Sequence, residues 1–98
     1  MTFKEVLQEI ENAENPVAKS LHHNEHFRVL VMAFKKDMKL KSHEAHLPSK
    51  LTVLTGKLQY SDGEENIFLE VYDTMDIPID IMHTVIALED SLCLLTQG

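Results

Sequence analysis

The chain has 98 residues, room for one domain around one core. Hydrophobic residues make up 44% and charged residues 26%, the balance of a globular protein rather than of a disordered or fibrous one. A formal net charge of −7 excludes a nucleic-acid backbone as partner for the surface as a whole.

In chain order, Phe3, Val6, Leu7 and Ile10 recur at helical spacing, with Lys4, Glu5, Gln8, Glu9 and Glu11 on the other side. Thr2 followed by Glu5 resembles a capping box, and Pro16 forbids continuation, so the pattern predicts a helix over about 2–13. The segment is acidic with no long apolar run, which reads as neither a secretory signal nor a membrane span and makes the cytoplasm the expected compartment. A helix this short needs a surface to dock on. The expected organisation is therefore a helical segment, 1–15, docked on a β-barrel domain formed by 16–98.

After Pro16 the period changes to two. Val17–Leu21 reads as an edge strand, and His22, His23 and His26 fall in a polar break that reads as an exposed turn. The run Phe27–Phe34 is the strongest strand, with Phe27, Val29, Val31 and Ala33 on one face and Leu30, Met32 and Phe34 on the other. A strand apolar on both faces is covered on both sides. One short helix cannot cover two sheets, so a homodimer is expected, with Leu30, Met32 and Phe34 on its interface or beneath the helix. Further strands are expected at Lys39–Ser42, Leu51–Thr55, Lys57–Tyr60, Asn66–Tyr72, His83–Leu88 and Leu92–Thr96. Ser61-Asp62-Gly63 turns a hairpin, Asp73–Asp76 reads as a turn, and Ile77–Asp80 as a short bend around Pro78. Cys93 lies in the last strand as a small buried hydrophobe. Eight or nine short strands with one helix predict an all-β sandwich or barrel.

Two histidine-bearing segments stand about forty residues apart within this pattern. Asp37-(five residues)-His43-x-Ala45-(three)-Ser49-(six)-Gly56 resembles the first motif of the cupin family, Gly-(five)-His-x-His-(three or four)-Glu-(six)-Gly. Tyr72-(five)-Pro78-x-Asp80-(two)-His83-(three)-Ala87 resembles the second, Gly-(five)-Pro-x-Gly-(two)-His-(three)-Asn. The resemblance spans roughly residues 26 to 96 and implies a double-stranded β-helix, the cupin jelly roll of the RmlC-like type. His43, Gly56, Pro78 and His83 match. Ala45 and Ser49 replace a histidine and the glutamate that in the family hold a metal, and aspartates stand where turn glycines are usual, a residue type that tolerates turn conformations.

The resemblance places His43 and His83 in one cavity, and alternation adds Leu51, Val53 and Val85 to its apolar wall. A catalytic ion usually takes three protein ligands. If the segment around Pro48 is irregular, His46 completes a facial set of His43, His46 and His83 for one divalent ion: zinc, iron, manganese or nickel. The other arrangement is a metal-free pocket in which His43 and His83 share hydrogen bonds, with His46 solvated. Lys50 reads as an outward lysine or, alternatively, as a positive charge at the pocket mouth. No nucleophile elbow or phosphate loop is present. The pattern therefore predicts a small cupin binding a small-molecule ligand without turnover of its own, with no nucleic-acid or membrane partner. The alternative is a metal-dependent enzyme of oxygenase or isomerase type.

Overall fold

The computed structural model describes residues 1–43 and 46–98, and the side chains of all but 41–45. Helix α1 (Thr2–Ile10) is followed by nine strands: β1 (Val17–His23), β2 (Arg28–Phe34), β3 (Lys39–His43), β4 (Ser49–Thr55), β5 (Leu58–Ser61), β6 (Asn66–Leu69), β7 (Thr74–Ile77), β8 (His83–Ala87) and β9 (Ser91–Gln97). They form two antiparallel sheets, one ordered β1-β2-β9-β4-β7 and the other β3-β8-β5-β6. Strands remote in sequence sit side by side, β9 between β2 and β4, and β8 between β3 and β5. The two sheets face each other as a jelly roll.

The helix is shorter than its pattern predicts. It ends at Ile10, and the amides of Glu11 and Asn12 close a turn onto the carbonyls of Gln8 and Glu9. The capping box does not form. Thr2 is already helical, Met1 occupies the cap position, and Glu5 takes the Met1 amino group at 2.9 Å instead. Val6 and Ile10 are buried against Val31 and Ala33 of β2, with Phe3 and Val17 at the margin. Leu7 lies outside this contact and is 48% exposed. Lys19 binds Glu9 at 2.8 Å and Lys35 binds Glu11 at 2.9 Å, two surface pairs that orient the helix more than they stabilise it.

The two faces of β2 are used differently from the expectation. Met32 and Phe34 belong to the core between the sheets, with Leu30 packed against it, while Val31 and Ala33 lie under the helix. Met32 and Phe34 are buried in that core and Leu30 is half-buried at its edge, so none of the three lies beneath the helix. Side-chain volume is the reason: facing sheets stand about 10 Å apart and need large residues to fill the gap, whereas a small face lets a helix approach.

The strand prediction fails around residues 70–77. Asn66–Tyr72 is not one strand: β6 ends at Leu69, and Glu70–Asp73 form a turn in which the Glu70 amide donates to Asp73 Oδ2 at 2.8 Å. The segment expected as a turn and bend contains β7 instead, paired with β4 from Ser49↔Ile77 to Thr52↔Thr74. Met75 and Ile77 point inward while Thr74 and Asp76 are exposed, so the period of two was present but short.

Tyr72, at a motif glycine position, has φ +72° and is 81% exposed. A bulky side chain held in the left-handed region costs about 1–2 kcal/mol. Tyr72→Gly loses almost no packing, so it is expected to raise stability by up to about 1 kcal/mol after the added chain entropy of glycine. Urea unfolding reads this directly, and a lower midpoint for the variant would contradict it.

Candidate functional site

β8 begins at His83, and the ladder sets His83 directly opposite His43 of β3. The two motifs thus meet at one register position of one sheet; the side chain of His43, like Ala45, lies outside the described residues. Pro78 and Asp80 shape the approach to β8. Asp80 (φ +60°) and Asp37 (φ +73°) both adopt the left-handed conformation of the glycines they replace, as does the retained Gly56 (φ +88°). Aspartate enters this region more readily than most residues, so the turns survive the substitutions.

His83 is 3% exposed. Its Nδ1 lies 3.2 Å from the carbonyl oxygen of Ile81, an acceptor, which makes Nδ1 the donor nitrogen of the ring. The ring stacks on Tyr60 with centroids 5.6 Å apart and planes at 28°. Tyr60 is wholly buried, and its hydroxyl donates to Asp62 Oδ2 at 2.8 Å. Burial and this bond push the phenol well above its ordinary range.

Between the sheets lies a cavity of about 20 Å³. Leu51 and Val85 form apolar wall beside His83, joined by Met32, Leu40, Ile77 and Leu95. Val53 is fully buried in the same core but is not part of this wall. Among the described residues, Ser49 and Gln97 are the other polar side chains of the lining. Ser49, at the family's glutamate position, donates from Oγ to the Leu47 carbonyl at 2.9 Å and accepts from Gln97 Nε2 at 3.3 Å. Gln97 was missed in the sequence, though Cys93 and Leu95 alternate inward before it and Ser49 is its ladder partner.

His46 stands at the surface, its Nδ1 3.0 Å from Asp80 Oδ1, while His83 faces the interior. Among the described residues no three His, Cys, Asp or Glu side chains come together to hold a metal ion. The hydroxyl of Ser49 and the amide of Gln97 are neutral donors that compensate little of a dication's charge. Lys50 points outward to Asp76 at 3.5 Å, and His22, His23 and His26 are exposed around the β1–β2 turn. Among the described residues, no helix is long and apolar enough to cross a membrane.

No family model and no curated protein matches the chain. Solved structures do. An RmlC-like cupin from Desulfovibrio desulfuricans superposes with a TM-score of 0.78 at 25% identity, over 87% of this chain and 83% of that one. A cupin superfamily protein from Desulfitobacterium hafniense gives 0.80 at 13%, over 88% and 79%. A conserved protein of unknown function from Streptococcus pyogenes gives 0.79 at 19%, over 94% and 82%. The architecture is a jelly-roll β-barrel with one short helix. The chain thus has the fold of a small cupin domain.

Proposed function

We propose that this cupin binds a small, largely apolar molecule at the barrel interior and carries out no turnover of its own. The observation that carries the reading is the cavity: an apolar wall with His83, Ser49 and Gln97 as its polar groups, the composition of a binding pocket in miniature. At about 20 Å³ it accommodates one water or one methyl-sized group. A larger ligand inserts its apolar end by parting the wall, and Met32, unbranched and flexible, is the residue best suited to yield. The polar end then meets the imidazole. Replacement of two of the four family ligand positions by Ala45 and Ser49 speaks against the metal-dependent alternative.

Two measurements test this. Elemental analysis of protein made without a histidine tag or added metal is expected to find no stoichiometric metal; one equivalent of iron, zinc, manganese or nickel would move the assignment to the metalloenzyme. In an NMR fragment screen, bound molecules are expected to shift the amides of Leu51, His83 and Val85. Val85→Ile adds one methylene, fills the cavity and removes those shifts. Shifts that persist in the folded Val85→Ile protein would show that the barrel interior is not the site.

A further inference from the structure

Outside the barrel, a groove of about 500 Å³ opens beside the β1–β2 connection, its lining including His23, His26, Phe27, Arg28, Leu47 and Gln97. Small-molecule sites commonly enclose about 300–1,000 Å³, a range the groove meets and the barrel cavity does not. Gln97 lines both, so the groove adjoins the barrel interior.

Among the described residues, the lysines without an ion pair, Lys4, Lys36 and Lys39, lie elsewhere, and this place holds a different kind of cation. Arg28 is the only arginine in a chain with sixteen acidic residues. Lys19, Lys35, Lys50 and Lys57 all reach carboxylates. Among the described residues Arg28 makes no ion pair; its Nε donates to Gln97 Oε1 at 2.8 Å. That bond fixes the guanidinium plane and leaves the Nη donors for another acceptor. His23 and His26 add ring nitrogens, and Glu25 is the acidic side chain of the lining. Phe27 and Leu47, 39% and 52% exposed, supply apolar wall, with the His22 ring 5.5 Å from that of Phe27.

We propose that this groove binds a small organic anion: a carboxylate or phosphate head on Arg28, an apolar body on Phe27 and Leu47. The fork of an arginine matches both heads, and a guanidinium already held in place loses less freedom on binding than a mobile one. The site is separate from the barrel cavity and does not depend on that cavity taking a ligand.

The test is an amide-detected NMR titration of the whole chain with benzoate, phenyl phosphate and the neutral benzyl alcohol at low salt. Benzoate, phenyl phosphate or both are expected to shift residues 23–28 and Leu47 saturably. Benzyl alcohol is expected to bind at least about tenfold more weakly, and Arg28→Gln to weaken the anions by about tenfold with an unchanged thermal melt. Val85→Ile, which blocks the barrel cavity, leaves this binding intact. Equal affinity for benzyl alcohol, undiminished anion binding by Arg28→Gln, no saturable shift with either anion, or shifts confined to Leu51, His83 and Val85 would each overturn the proposal.

Discussion

Gly56→Ala is expected to destabilise the fold by about 2–4 kcal/mol, the sum of a left-handed backbone penalty of about 1 kcal/mol and an overpacking cost of about 1–3 kcal/mol. Gly56 follows β4 at φ +88°, and a β-carbon there would run into the Ser91 hydroxyl and the Asp90 carbonyl. Neither neighbour has room to yield. Ser91 Oγ accepts from the Lys57 amide at 3.0 Å and sits 2.8 Å from the Glu89 carbonyl, and the Leu88 amide bonds the Lys57 carbonyl at 2.9 Å. Moving Ser91 therefore disturbs the start of β9, the strand between β2 and β4. At this chain length each kcal/mol moves the melting temperature by about 4–8 °C, so a fall of at least about 8 °C is expected. Gly63→Ala is the internal control. Gly63 has φ +90° but nothing within 4 Å of its would-be β-carbon, so it incurs only the conformational cost, about 1 kcal/mol. Equal melting temperatures for the two variants would show that the contact at Ser91 is not limiting.

Much of the barrel was legible because its strands alternate cleanly. Leu51 and Val53 in β4, Val85 and Ala87 in β8, and Cys93 in β9 are buried at intervals of two, as periodicity requires. The two faces of β2 could not be told apart, since both are apolar and periodicity does not say which face meets a helix. Size would have helped: Phe34 and Met32 against Ala33 and Val31 is a contrast visible in the sequence. β7 was hidden because four residues framed by aspartates and Pro78 resemble a turn, and only the inward Met75 and Ile77 mark it as a strand. Tyr72 was expected to end the strand Asn66–Tyr72, yet it is a turn residue, its backbone in the left-handed region and its side chain turned to solvent. At the site, His83, Leu51 and Val85 came from motif and alternation. Gln97 lay beyond the last motif, and the volume of the cavity is a property of packing that no local pattern encodes.

Tyr60→Ala is expected to cost about 3–5 kcal/mol, the range for removing a large buried aromatic side chain, out of a total stability on the order of 5–15 kcal/mol. The ring joins a core with Leu58, Leu69 and Val85 and stacks on His83, so its loss opens the barrel beside the candidate site. Tyr60→Phe separates the ring from the hydroxyl. It keeps the packing and removes one hydrogen bond to a half-buried carboxylate that water still reaches, a loss of about 1 kcal/mol. That bond ties β5 to its own turn: Asp62 Oδ2 takes the Tyr60 hydroxyl, while Oδ1 accepts the Glu64 and Glu65 amides at 3.1 and 2.9 Å. The Glu65 amide, the Tyr60 hydroxyl and the Glu64 amide together hold the Asp62 carboxyl below its usual range. A depressed carboxyl pKa stabilises the fold above the unfolded value, near about 4, and that contribution disappears as pH falls through the folded value. The gap between wild type and Tyr60→Phe is therefore expected to be full at neutral pH and to narrow in acid. Urea unfolding of both proteins from pH 7 down to pH about 2.5 measures it. A gap that stays constant through the acid limb would mean that the hydroxyl does not act through Asp62.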